Sequence, residues 1–335
     1  MRRSKLFGRA VVVIMACLST SAASLGGGST EWMTGVNLSG AELNPKKNRV
    51  NFDYVYPTLN EIEYFRRRGF RCFRIPVLMH RLFRVEEAPP RLQSTDDWKS
   101  LLALINGAAR VDAVIIIDFH QFGRTRSGLI GRDAVATSEF VAAWSEIAKR
   151  LKHQPNVIFN LMNEPHEQSA SEWLQAANAA IAAIRNAGAK QLLLVPGSYW
   201  TGAHSWTTSD NARVMKGVID PAGNFAYDVH QYLDADSSGT SPKSIPGSGG
   251  ERLKAFTEWA RQNKVHGFLG EFGFASTPDS LREGAALVKY MAENRDVWIG
   301  WTYWAAGPWW GDYMFSIEPR DGKDRPQLGI LTSAK

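Results

Sequence analysis

Cysteine is scarce in this chain, with only Cys17 and Cys72 among 335 residues. The first lies in a segment expected to be cleaved, so the mature chain cannot close an intrachain disulfide. Its stability has to come from a packed core. Long hydrophobic runs are also missing: the apolar stretch at residues 10–18 is too short to cross a bilayer. Charge is sparse at 21%, against 44% hydrophobic residues, so the chain can bury a large core. No solenoid-type repeat and no interdomain linker is found, and the Gly/Ser/Pro-rich stretch at 237–250 sits between a strand signal and a helix signal as a long loop. His-x-His and His-Glu-x-x-His are absent, which weakens a hydrolytic metal centre.

The first residues resemble a targeting segment. Arg2, Arg3, Lys5 and Arg9 precede the apolar stretch, and Ser21-Ala22-Ala23 supplies small residues for cleavage. A lipoprotein alternative at Cys17 fits less well, because Met15 is bulky and apolar residues continue beyond the cysteine. The expected organisation is a signal peptide at 1–23, a short linker at 24–34 and one domain at 35–335, exported to the periplasm or the medium. Cleavage removes four positive charges and lowers the formal net charge from +6 to +2, so the isoelectric point of about 9.3 owes much to the leader. Arg66-Arg67-Arg68 stands beside Glu61 and Glu63 on an expected helix and reads as a solvated face, not a nucleic-acid patch. Neither a nucleic-acid partner nor stable membrane association after cleavage is expected, and the expected state is a monomer.

Eight short apolar runs occur, at 35–38, 72–77, 113–119, 157–162, 191–196, 226–230, 267–270 and 298–304. They are too uniformly apolar for one-sided sheets and suit parallel strands covered on both faces. Helical spacing fills most intervals, at 57–68, 98–111, 138–152, 169–186, 250–263 and 280–294. The alternation predicts an α/β fold, a single-domain (β/α)8 TIM barrel. Residues 197–224 lack a convincing helix, and the segment after Trp304 has only weak helical character.

In such a barrel, reactive groups collect at the C-terminal strand ends. This chain places there Arg74, His120, Asn163-Glu164, Trp200, His230, Tyr232, Glu271 and Trp304. Asn160-Leu161-Met162-Asn163-Glu164-Pro165 is the most specific motif: Pro165 stops the strand and fixes the exit of the loop. Gly270-Glu271-Phe272-Gly273 supplies a second carboxylate in the same kind of place. Two carboxyls converging on one bond suit glycoside hydrolysis. Glu164 would be the proton donor, held close enough to Glu271 for repulsion to favour its protonated form. Glu271 would be the nucleophile, kept ionised by Arg74 and hydrogen-bonded by Tyr232. His230 is expected in the same network, and His120 in contacts to sugar hydroxyls. Asp118-Phe119-His120 and Asp228-Val229-His230 leave a metallohydrolase open, although two ready glutamates make a metal unnecessary and no cofactor is expected.

Tryptophan is abundant, at 12 residues. Trp200, Trp206, Trp304, Trp309 and Trp310 fall near the expected mouth, where indoles would stack on the C–H faces of sugar rings. Trp98, Trp144, Trp173 and Trp259 sit in expected helices and read as packing.

From Gly35-Val36-Asn37 to Trp301-Thr302-Tyr303-Trp304 the chain resembles glycoside hydrolase family 5, the old cellulase family A, in its endo-β-1,4-glucanase branch. The resemblance rests on Arg74, His120, Asn163, Glu164, His230, Tyr232, Glu271 and Trp304. It implies Glu164 as acid/base, Glu271 as nucleophile, Asn163 on the sugar 2-hydroxyl, retention of configuration, no metal, and a β-glucan substrate. Gln121 departs from the Asn that relatives often carry after the strand-three His. Specificity for mannan, xyloglucan or mixed-linkage glucan remains an alternative, because it resides in loop contacts. No cellulose-binding module is attached, so soluble or amorphous glucan is the expected target.

Overall fold

A computed structural model describes residues 32–85 and 92–333. The expected signal peptide and most of the linker lie outside the described residues. Eight parallel strands close a barrel in sequence order: β1 (Met33–Leu38), β2 (Cys72–Val77), β3 (Val114–Phe119), β4 (Val157–Asn160), β5 (Leu193–Pro196), β6 (Phe225–His230), β7 (Gly267–Glu271) and β8 (Trp298–Ala306). The first strand begins at Met33, two residues before the boundary drawn from the sequence. Outside the strands lie α1 (Leu59–Arg67), α2 (Asp96–Arg110), α3 (Ala134–Leu151), α4 (Ala170–Asn186), α5 (Ser248–Asn263), α6 (Pro278–Glu293) and α7 (Pro326–Ser333).

Local chemistry sets these boundaries. Reciprocal capping boxes, Thr58 with Glu61 and Ser169 with Glu172, start α1 and α4. Thr277 caps α6 ahead of Pro278. Gly69 and Gly188, both left-handed, end helices before β2 and β5. The arginines of the basic triplet are engaged with acidic neighbours: Arg66 with Asp112, Arg67 with Glu63 and Arg68 with Asp324.

Residues 197–224 hold only short turns, including the four-residue helix Asn211–Val214. Trp206, expected at the mouth, is instead fully buried there against Tyr227, Phe256 and Trp259. A buried indole here fills the space that the missing helix leaves open. The helix tryptophans pack as expected, and two of them also hold strand ends: Trp144 Nε1 donates to Leu161 O (3.0 Å) and Trp173 Nε1 to Pro196 O (2.7 Å).

Inside the barrel, strand alternation makes layers. Cys72, Ile116, Ile158, Leu194, Ala226, Phe268 and Ile299 belong to one apolar cluster. Two residues further along six of these strands, on the same face, come Arg74, Asp118, Asn160, Pro196, Asp228 and Gly270. The register pairs Asn37 with Arg74 and Asp118 with Asn160. A dry plug is therefore topped by a buried polar layer, and the candidate site stands on that layer.

Candidate active site

Arg74 is the hub of the polar layer and is fully buried. Its Nε donates to Asn160 Oδ1 (2.7 Å), Nη1 to Asn37 Oδ1 (2.9 Å) and Glu271 Oε1 (2.6 Å), and Nη2 to Asn163 Oδ1 (2.9 Å). The remaining Nη2 direction faces Asp118 Oδ1 at 3.1 Å, an ion pair without hydrogen-bond geometry. Burial alone would favour a neutral guanidine, but the charges of Asp118, Glu271 and Asp228 outweigh it and raise the pKa further.

Glu271 ends β7, where parity along the strand would turn its side chain outward. A register shift of the β6–β7 pair at this point sets His230 opposite Glu271 and aims the carboxylate into the mouth. Gly270 makes this possible: a Cβ there would stand 2.1 Å from Asp228 Oδ1. The second oxygen of Glu271 accepts from Tyr232 OH at 3.0 Å. Burial first, and the charge of Glu271 second, push the Tyr232 phenol well above its ordinary value, so it remains a donor.

Glu164 follows β4 in a left-handed conformation, φ 41°, which is uncommon outside glycine and typical of functional positions. Its Oε1 lies 2.7 Å from His230 Nδ1. One donor atom each from Glu164, His230 and Glu271 fall within 4.8 Å of one another, so the two carboxylates face the same space. Burial lowers the proton affinity of His230, but the charges of Glu271 and Asp228 and the bond to Glu164 outweigh it, raising the pKa to about 10. His230 Nε2 faces Asp228 Oδ2 at 3.6 Å.

His120 is held by Asp118, with Nδ1 2.9 Å from Oδ2, and lies nearly parallel to Trp304 at 5.4 Å. Burial depresses the imidazole, while the Asp118 hydrogen bond and charge win and raise it. Trp304 is itself only 8% exposed and also meets Trp310, whose ring packs on Tyr313. Trp200 stands 54% exposed in a cavity of about 560 Å³ with Glu164, His204, His230 and Tyr232. A groove of about 850 Å³, lined by Glu42, His80, His120, Gln121, Phe122 and Arg126 among others, opens on the His120 side.

All nine residues singled out from the sequence thus lie at one end of the barrel. Asn37 and Asn160, which orient Arg74, escaped notice, as did the orienting roles of Asp118 and Asp228. Their signal was available in the two-residue alternation that sets each one step above an apolar inward residue. Glu164, His230 and Glu271 are also the group among the described residues whose donor atoms could bracket a cation. That use competes with what is already there, since Arg74 and Tyr232 occupy both oxygens of Glu271.

The family profile described as Cellulase (glycosyl hydrolase family 5) matches residues 32–307. The chain belongs to glycosyl hydrolase family 5. Among its relatives, endo-beta-1,4-glucanase A of Emericella nidulans is 36% identical over 319 residues, 94% of each chain. Endo-beta-1,4-glucanase B of Aspergillus niger is 37% identical over 298 residues, covering 87% of this chain and 86% of that one. A structure of XacCel5A in complex with cellopentaose is similar at 39% identity and TM-score 0.87, over 91% of this chain and all of that chain. Pseudomonas stutzeri endoglucanase Cel5A in complex with cellobiose matches at 33% and 0.82, over 90% and 92%. This family 5 chain is a glycoside hydrolase, built on the same barrel as those enzymes. No helix among its described residues is long and apolar enough to cross a membrane.

Proposed function

We propose that the protein is a secreted endo-β-1,4-glucanase that cleaves internal glucosidic bonds by double displacement with retention of configuration. The observation that carries this reading is the carboxylate pair, with donor oxygens of Glu164 and Glu271 within 4.8 Å. Retaining enzymes hold the two carboxyl groups roughly 5–5.5 Å apart, whereas inverting ones leave room for a water between them.

Roles follow from the partners. Glu271, ion-paired to Arg74 and hydrogen-bonded by Tyr232, is the nucleophile that attacks the anomeric carbon. Glu164 protonates the departing glycosidic oxygen from its place beside His230, whose Nδ1 lies 2.7 Å from its Oε1. When the glycosyl–enzyme bond forms, Glu271 loses its charge, and Glu164, now ionised, draws a proton from the water that releases the sugar. Asn163 spends Oδ1 on Arg74, leaving Nδ2 to donate to the sugar 2-hydroxyl. His120 and Trp304 flank the sugar whose bond is cleaved, and Trp200 stacks on the leaving side. Open space on both sides of the pair supports cleavage within a chain. The named activities of the relatives support β-1,4-glucan as substrate, and the basic, apolar leader supports export.

Glu271→Ala tests the assignment. Turnover should fall below detection while oligosaccharide binding persists, and azide should restore cleavage of an activated aryl cellobioside with release of a glycosyl azide. Unchanged hydrolysis by this variant would remove Glu271 from the chemistry. Reducing-end assays on carboxymethyl-cellulose, lichenan and mannan test specificity, and activity confined to mannan would refute the glucanase reading.

A further inference from the structure

The motif around Glu164 continues into a residue with no role so far. His166 is partly buried, and its Nδ1 lies 3.0 Å from the carbonyl oxygen of Glu164. A carbonyl can only accept, so Nδ1 carries the proton, which fixes the tautomer of the neutral ring. The imidazole also lies flat on Trp200, with ring centroids 4.4 Å apart and an interplanar angle of 7°. Phe122 meets it edge-on at 6.1 Å.

Two strained backbone segments meet at this ring. Glu164 is left-handed at φ 41°, and Tyr199, Trp200 and Thr201 are left-handed in succession at 55°, 55° and 50°. Such conformations persist in non-glycine residues only where neighbours over-determine them. The two segments are joined by a backbone bond from Trp200 N to Pro165 O at 3.1 Å, and the His166 ring spans the same junction from the side-chain direction.

We propose that His166 is a positioning residue that couples the proton donor to the leaving-group platform. It fixes the backbone of Glu164 through Nδ1–H and braces the indole of Trp200 through its face. A sugar seated on Trp200 is then registered against Glu164 by one rigid ring, so the glycosidic oxygen and the carboxyl arrive together. The proposal rests on Glu164 being the acid. It goes beyond that assignment in saying why a residue outside the reacting set governs proton delivery.

Two variants separate the two contacts. His166→Phe keeps a flat ring against Trp200 and loses the donor to Glu164. His166→Asn keeps an N–H donor and loses the ring. Both, with Glu164→Gln as reference, are assayed on aryl cellobiosides bearing activated and poor leaving groups, and on cellopentaose. His166→Phe should slow the poor leaving group by roughly tenfold more than the activated one, because only the former depends on the acid. Its KM for cellopentaose should stay near the wild-type value. His166→Asn should instead raise KM for cellopentaose several-fold, with a smaller change in kcat. Equal slowing of both aryl substrates by His166→Phe, or no KM change in His166→Asn, would reduce His166 to a structural residue and overturn the proposal. If Glu164→Gln itself shows no leaving-group dependence, the acid assignment fails first. If Glu164→Gln shows it and His166→Phe does not, the coupling alone is wrong. Far-UV circular dichroism on each variant separates misfolding from these outcomes, and a folded variant with wild-type kinetics also refutes the coupling.

Discussion

Replacing Arg74 by lysine is the sharpest perturbation this architecture offers. The guanidinium donates four hydrogen bonds, to Asn160, Asn37, Glu271 and Asn163, and faces Asp118 as an ion pair. Lysine keeps the positive charge but has three donors, so at least one buried acceptor loses its partner. An orphaned group costs about 1–3 kcal/mol, which places the loss of stability at about 1–3 kcal/mol. Activity should suffer separately. Asn163 and Glu271 share this one clamp, and a misplacement of about 1 Å at a reacting group can cost ~100-fold in rate. Urea unfolding would read the first effect, and kcat on a soluble cello-oligosaccharide the second. Because charge is conserved, a large loss would assign the effect to the fork geometry of the guanidinium. A variant within about 1 kcal/mol of wild-type stability and with wild-type kcat would refute the hub argument.

Glu318, whose Oε2 accepts from Gly307 N at 3.0 Å, is raised to about 7 by burial and, less, by the charge of Glu61. The folded carboxyl holds its proton more tightly than the unfolded chain, so stability is full below about 4.5 and falls as pH rises through 7. After allowance for partial exposure, the fall should be about 1–2 kcal/mol, and Glu318→Gln should abolish it in urea titrations at pH 4.5 and 8. Trp200→Ala should raise KM for cellopentaose about fivefold, in line with loss of one stacking contact. Its urea midpoint should hardly move, since the indole is largely exposed; a large stability loss would contradict the platform role. Chelator should leave kcat unchanged, and inhibition reversed by a divalent cation would revive the metal reading of Glu164, His230 and Glu271.

Legibility in the sequence followed the range of the interactions. Strand and helix placement came from local periodicity, and observed boundaries such as Cys72–Val77 and Ala170–Asn186 lie within a residue or so of the expected ones. Glu164 and Glu271 stood out because proline and glycine mark the backbone where each strand ends. Trp206 misled, since an indole in a connection without a helix looks like a mouth residue when it is a plug. Asn37 and Asn160 were passed over because alternation sets them on the inward face but gives no local sign of the arginine they orient.

The sequence by itself determined the barrel, its strand order and the strand ends that carry carboxylates, because alternation, apolar runs and chain-breaking residues are properties of neighbours along the chain. Tertiary structure decided the rest. Only the closed barrel sets β2 within reach of β1, β3, β4 and β7, so that one guanidinium touches residues 37, 118, 160, 163 and 271. Only the register shift at Gly270 turns Glu271 towards Glu164. Contacts between residues 37 to 197 positions apart depend on closure geometry, and no short window of the sequence contains it.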